Sequence, residues 1–210
     1  GYGAPIWLGY GFPNNRAMKV AECLGLYASV GKMLELHWST SRKFLFRSRI
    51  RHLQPEPENK LIINKLWQEM ALSLSNALVG VRDWNYIQHR YLLHPHNQYE
   101  LLLVTRRFTG QALGVAVIQR LAETCRLMDL VGDLKHIPEI IQQVRRIAGV
   151  WGMTKVITWI TANFAPQFPQ QDVEVTDIKV QVPHSIWTPG VPPTEINGHW
   201  WLMIGDTDFL

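Results

Sequence analysis

The chain is poor in the residues that staple small folds and in the runs that anchor chains to lipid. Of its 210 residues only Cys23 and Cys125 are cysteines. They lie far apart and form no CxxC pair, which excludes a disulfide framework and a zinc knuckle and leads us to expect a reduced, cytoplasmic setting. No stretch approaches the ~18 uninterrupted apolar residues of a membrane span. The opening GYGAPIWLGYGFP has no basic region ahead of its apolar residues, so neither a span nor a signal peptide is expected. Charge is sparse as well. Charged residues make up 18%, the formal net charge is +4 and the pI is near 9.2, a balance too mild to select nucleic acid over a small anionic ligand. With 47% hydrophobic residues the composition is that of an ordinary globular chain with a sizeable core.

What the chain does have is a central apolar block, Tyr99 to Val131. It divides into three short runs, Tyr99–Arg106, Ala112–Arg120 and Cys125–Val131, separated by Phe108-Thr109-Gly110-Gln111 and by Leu121 to Thr124. Runs of that length between turn residues predict an antiparallel meander. Leu101 and Leu103 alternate with Leu102 and Val104, so the first strand is apolar on both faces and needs cover on each, most simply by helices.

Other elements group around this block. Ile6 to Leu8 reads as a strand. Asn14 reads as the N-cap of a short helix with Ala17, Val20, Ala21 and Leu24 on one face and Gly25 as its stop. Tyr27 to Trp38 alternates as a strand pair. Arg42 to Arg51 (RKFLFRSRIR) interleaves basic and aromatic residues, a pattern read as a phosphate-binding strip or, with more weight, as a solvated strand edge or linker. Gln54 to Asn59 is the linker. Helices are expected over Leu61–Val79, Arg82–Leu93 and Pro138–Trp151, and strands over Lys155–Thr161, Val173–Val182 and His199–Ile204. Lys155–Thr161 should run parallel to Cys125–Val131 because a helix intervenes.

Titratable residues offer few constellations. His89, His94 and His96 cluster, yet no acid or cysteine stands at a companion spacing, so no metal site is expected. Asp129 interrupts an apolar strand. An unpaired carboxylate there is costly, which makes it an acid/base candidate unless hydrogen bonds hold it as a structural group. Asp206 and Asp208 in GDTD form either a ligand-facing turn or a polar chain end.

Two segments carry a resemblance. GFPNNRAMKVAECLGLY resembles the closing part of a GNAT-superfamily acyltransferase domain, whose fourth helix follows N-x-x-A-x-x-x-Y-x-x-x-G-F. Asn14, Ala17 and Gly25 match, whereas Ala21 stands at the tyrosine position and Leu26 at the aromatic one. Asp83, Tyr86, Ile87, Arg90, Tyr91, His94, Pro95 and Tyr99 are similar to the opening helices of bacterial GNAT-like proteins. The resemblance implies an α/β (α+β) fold, a GNAT-like mixed central sheet with an antiparallel meander and helices on both faces. It divides the chain into residues 1–51, the end of a first GNAT-like domain, a linker at 52–59 and a second, degenerate domain at 60–210. It implies an N-acyltransferase using acetyl-CoA or another acyl-CoA, with Asn14, Asn15 and Ala17 near the cofactor and Asp129 and Tyr27 as catalytic groups. The partners are then an acyl-CoA and an amine acceptor, with no nucleic acid and no membrane; self-association is left open. The alternative is a non-catalytic GNAT-like module that recognises a partner or polar ligand. The segment Gly132 to Pro138 stands where the family carries the pyrophosphate loop Q/R-x-x-G-x-G/A, and it keeps only Gly132.

Overall fold

A computed structural model describes residues 11–54, 56–187 and 190–207. The strand expected at Ile6 to Leu8, together with Asp208, falls outside them. In chain order the elements are α1 (Asn15–Cys23), β1 (Tyr27–Ser39), β2 (Ser48–His52), α2 (Pro57–Ser73), β3 (Leu78–Val79), α3 (Trp84–Ile87), β4 (Glu100–Arg106), β5 (Ala112–Leu121), β6 (Thr124–Val131), α4 (Ile137–Val150), β7 (Lys155–Thr161), β8 (Val173–Ser185), α5 (Pro193–Ile196) and β9 (Trp200–Trp201). Seven strands form one sheet in the order β2-β4-β5-β6-β7-β1-β8, and β3 pairs with β9 in a second, two-stranded sheet.

The meander is present. Strands β4, β5 and β6 pair antiparallel in sequence, and β7 joins β6 in parallel after the α4 crossover. Both faces of β4 are covered. Leu102 and Val104 pack with Ile140, Ile141, Val144 and Ala148 of α4, while Leu101 and Leu103 pack with Ile63 and Leu66 of α2 and Trp84 and Ile87 of α3. Removing that much aliphatic surface from water is the main stabilisation of the centre, about 1.5–3 kcal/mol per fully buried large side chain.

Three elements differ from the sequence reading. Tyr27 to Ser39 is one thirteen-residue strand, not a pair; β1 lies between β7 and β8, antiparallel to both, and irregularities at Ser29/Lys32 and Lys32/Leu34 break its register with β8. Glycine and lysine in mid-strand thus mark bulges rather than a turn. The helix expected to reach Val79 ends at Ser73, because Leu78 and Val79 pair in parallel with Trp200 and Trp201. The strand expected over His199–Ile204 is only those two tryptophans, followed by a 3-10 turn at Ile204–Asp206.

The segment expected as a linker lies between β2 and α2. On its N-terminal side β1 and β2 are both hydrogen-bonded into the large sheet, β1 to β7 and β8 and β2 to β4. The basic strip contains β2, an edge strand. Two of its guanidiniums donate to backbone carbonyls, Arg42 to Gly149 at 3.0 Å and Arg51 to His52 at 3.4 Å, and Arg107, across the ladder, donates to the Phe46 carbonyl at 3.0 Å. Phe44 is exposed between the guanidiniums of Arg107, 4.7 Å from its ring centre, and Arg146, 5.6 Å away.

Candidate functional site

In open sheets with parallel strands, ligands bind beyond the carboxyl ends of the strands, where neighbouring strands part. Here that place is the gap between β6 and β7. Their ladder covers only Thr124↔Lys155, Cys125↔Val156 and Arg126↔Ile157, although both strands continue. Past it the Thr158 hydroxyl donates to the Leu127 carbonyl at 2.9 Å, and then the chain's own C-terminal segment enters. Met203 bridges Ile160, the Thr161 amide donates to the Leu202 carbonyl at 3.2 Å, and the Thr161 hydroxyl donates to the Trp200 carbonyl. Trp201, Leu202, Met203 and Ile204 are fully buried. Gly205 must be glycine, since a Cβ would overlap the Tyr91 hydroxyl and approach the Met128 carbonyl at 3.0 Å.

A buried ionic centre fastens this segment. Arg82 donates from Nε to Asp129 Oδ1 at 3.1 Å, from Nη2 to Asp206 Oδ2 at 2.5 Å and from Nη1 to the Gly80 carbonyl at 2.6 Å. Asp129 also accepts from the hydroxyls of Tyr86 and Tyr91, each at 3.0 Å, and from the Leu130 amide at 2.8 Å. Asp206 accepts from the Met203 amide at 2.8 Å. Arg90 adds two clamps, donating to the carbonyls of Gly205 at 2.9 Å and Thr207 at 2.8 Å.

The sequence explains how the two hydroxyls converge. Asp83 caps α3 by accepting from the Tyr86 amide at 2.9 Å, and the turn that follows, Gln88–Leu92, is a π-helix. A regular α-helix would leave residues five apart well round the helix from one another. The wider π turn brings Tyr91 back to the face of Tyr86, and their oxygens lie 3.4 Å apart.

One guanidinium between two carboxylates leaves a net charge of −1 where all three side chains are at most 3% exposed. Burial raises the Asp206 carboxyl most, Arg82 pulls it down and Asp129 pushes it up again, leaving it at about 6. Burial also raises both tyrosines, reinforced by Asp129, so they stay protonated donors. Burial opposes the charge on Arg82, but the two carboxylates outweigh it and raise its pKa. The sign of the pH effect follows. An unfolded aspartate gives up its proton near 3.8, so between about 4 and 6 the folded chain holds a proton that the unfolded chain has released. Stability therefore falls as pH rises through that window and levels off above it. The contribution is on the order of 1 to 3 kcal/mol. Urea unfolding of the wild type and Asp206→Asn at pH 4, 5, 6 and 7 should show their difference shrinking to the wild type's disadvantage up to pH 6. A difference constant with pH would refute this protonation.

The loop after β6 does not offer the amide cradle that a CoA pyrophosphate requires. Asp133 accepts from the Lys135 amide at 3.1 Å and the Ser73 hydroxyl at 3.0 Å, and pairs with the Lys135 ammonium at 2.5 Å. Pro138 occupies the first turn of α4 beside Glu139, whose carboxylate holds Arg106 at 2.7 Å. Two carboxylates thus stand where an anion would need donors. Gly132 is accounted for without a phosphate, because a Cβ there would lie 2.7 Å from the Leu113 carbonyl oxygen and 2.9 Å from Gly114 Cα. These residues do not fit an acyl-CoA in that manner.

The residues expected to act together are dispersed. Asp129 is in the buried centre with its two oxygens taken by four donors. Tyr27, half exposed, opens β1 opposite Ser185 of β8, beyond the stretch of β1 that faces β7, which starts at Met33. Asn14 caps α1 by accepting from the Ala17 amide at 2.9 Å. Asn15 lines a polar cleft of about 680 Å³ formed by α1, β1 and β8. His94 is a turn residue whose Nδ1 accepts from the amides of His96 and Asn97, and no group of three His, Cys, Asp or Glu side chains among the described residues gathers in metal-binding geometry. Sequence reasoning missed Arg82. The signal was indirect, since an aspartate inside an apolar strand demands a cation, but nothing local says which of 21 basic residues supplies it.

No protein-family profile matches the sequence, and no curated protein does. Solved structures do. A probable N-acyltransferase of unknown function from Enterococcus faecalis superposes with a TM-score of 0.58 at 10% identity, over 85% of this chain and 45% of that one. GCN5-related N-acetyltransferases from Anabaena variabilis and Sphaerobacter thermophilus superpose with TM-scores of 0.56 and 0.54. Their identities are 13% and 14%, over 86% and 88% of this chain and 45% and 60% of theirs. The chain shares the fold of these GCN5-related N-acetyltransferase structures. The chain spans about half the length of these similar structures.

Proposed function

We propose that this chain is a non-catalytic GNAT-type unit of an acyl-CoA-dependent N-acyltransferase, in which the acyl thioester and its amine acceptor meet on another unit. One observation carries the reading: the gap where β6 and β7 part is filled by Trp200 to Asp206 and pinned by Arg82. The carboxylates of Asp133 and Glu139 beside the following helix support it. Acyl transfer from a thioester to an amine needs a group to take the amine's proton and donors to polarise the carbonyl. Asp129, the strongest candidate for the first role, has all its hydrogen-bonding capacity engaged. A tandem arrangement goes with this proposal, with the sheet described here as the second of two GNAT-like units.

Calorimetric titration of the 210-residue chain with acetyl-CoA and with longer acyl-CoAs tests it. The expected result is no binding up to about 1 mM, where a site worth more than ~4 kcal/mol would register. Micromolar binding abolished by Asn14→Ala would overturn the proposal and make α1 part of a working cofactor site.

A further inference from the structure

The cleft between α1, β1 and β8 has chemistry of its own. Lys19, Lys32 and Lys179 line it with one carboxylate, Asp177, and with Asn15, Asn163, Asn197 and Gln181. Lys32 Nζ lies 3.0 Å and Lys179 Nζ 3.4 Å from Asp177 Oδ2, and Lys19 has no ion pair among the described residues. The lining therefore carries two uncompensated positive charges. Its apolar surface comes from Gly31, Ala162 and the stems of its long side chains rather than from any aromatic or branched aliphatic residue.

The backbone is distorted to make this place. Strand β1 carries extra residues opposite Val182 between Ser29 and Lys32, and β8 carries a larger insertion between Asp177 and Gln181. Lys179 sits in that insertion at φ +60°, a left-handed conformation that a lysine adopts at a cost of about 1 kcal/mol or more. It is held there by the Asp177 side chain, which accepts from the Lys179 amide at 2.9 Å. Paired bulges re-aim side chains, and here they turn Lys32, Asp177, Lys179 and Gln181 into one cavity. Gln181 Oε1 is buried and accepts no hydrogen bond from the described residues, which leaves an acceptor for a ligand donor.

We propose that this cleft binds a small phosphorylated polyol, with the phosphate against Lys19 and Lys179 and the hydroxyls on the side-chain amides and Gln181. The ammoniums supply point charges suited to a dianion. The amides, which donate and accept from one group, suit hydroxyls that do the same. A volume of about 680 Å³ is of the size that encloses such a ligand. The cleft includes Asn15 and Lys19 of α1, so lysine variants that leave Asn14 intact are what distinguish it from an acyl-CoA site.

The test is calorimetry on the 210-residue chain at fixed ionic strength with three probes: D-glucose 6-phosphate, D-glucose and inorganic phosphate. Glucose 6-phosphate should bind with a Kd on the order of 0.1 to 1 mM, at least tenfold tighter than inorganic phosphate, and glucose should not bind. Lys19→Gln with Lys179→Gln should weaken it by tenfold or more, and Asn163→Ala should narrow the preference for the ester over inorganic phosphate. Both sets of side chains are at the surface, so circular dichroism should show folding unchanged. Absence of binding by either phosphate probe at 5 mM, a limit of about 3 kcal/mol of affinity, overturns the site. Binding unaffected by the lysine changes places the anion elsewhere and overturns it too. Equal binding of the ester and inorganic phosphate overturns the polyol part.

Discussion

Arg82→Met should leave the chain at best marginally folded at pH 7. Methionine fills much of the volume but removes the cation between Asp129 and Asp206, which are 0% and 3% exposed. Breaking one partner out of a buried ionic group costs about 3 to 5 kcal/mol, because the remaining charge has neither water nor a counter-ion. Total stabilities are about 5 to 15 kcal/mol, so this loss is most of what many domains have. Lowering the pH toward 5 should restore part of it, since the Asp206 carboxyl, already raised by burial and now without the guanidinium that pulled it down, takes up a proton more readily. Asp129→Asn should cost less. It leaves Arg82 paired one to one with Asp206, and the amide oxygen can still accept from Arg82 and the Leu130 amide, while its NH2 then faces the two tyrosine hydroxyls, which must turn to accept. Urea denaturation of both variants at pH 5 and 7 checks this. An Arg82→Met stability within about 1 kcal/mol of wild type, an ordinary surface-substitution effect, would show that the triad is not what holds the C-terminal segment in place.

Gly132→Ala should cost about 3 kcal/mol, at the upper end of overpacking effects. The added methyl would meet backbone atoms of β5, the Leu113 oxygen at 2.7 Å and Gly114 Cα at 2.9 Å. Backbone in the centre of a sheet cannot retreat as a side-chain tip can. Gly31→Ala is the control, because its methyl would meet only Val182 side-chain atoms at 3.7 Å and beyond; it should stay within about 1 kcal/mol. Thermal unfolding of the two variants separates a close-packing requirement from a general intolerance of alanine. Similar small shifts in both would return Gly132 to a role at the mouth of the loop rather than in the sheet.

The fold was legible where local pattern and tertiary environment agree. Strands β4 to β7 and helix α4 are short apolar runs with clear breaks, and the parallel pairing of β6 with β7 followed from the helix between them. Tyr27 to Trp38, expected as a strand pair, is one strand to Ser39 with Gly31 and Lys32 inside it. They are tolerated in mid-strand because β8 pairs with the strand on either side of the bulge and β7 holds it from Met33 onward, which no local window reveals. The end of α2 was hidden for a similar reason: Leu78 and Val79 continue the apolar rhythm of the helix, but Trp200 and Trp201 recruit them into a ladder.

The ionic centre was half legible. Asp129 announced itself by its apolar neighbours. Arg82 lies 47 residues before it in the chain, and Asp206 is 124 residues from Arg82; side chains so far apart meet only because of the topology. Tyr86 and Tyr91 were noticed for their resemblance rather than for a shared face, since spacing of five does not place residues together on an α-helix. Only the π turn does, and it brings both hydroxyls to Asp129.

The place of β1 in the sheet has a consequence for how the molecule is assembled. It is the first strand of the described chain, yet its partners are the last two strands of the large sheet. Lys32 and Asp177, which meet across its outer edge, are 145 residues apart. During synthesis β1 emerges with both edges bare and must wait, unpaired, while α2, the meander and α4 are made, so its closing contacts are of the slow, non-local kind. A waiting strand with two open edges is also the part of a nascent chain most exposed to mispairing with a neighbour. The charges at Lys32 and Glu35 within it are the sort that discourage such pairing until β7 and β8 arrive to close it in.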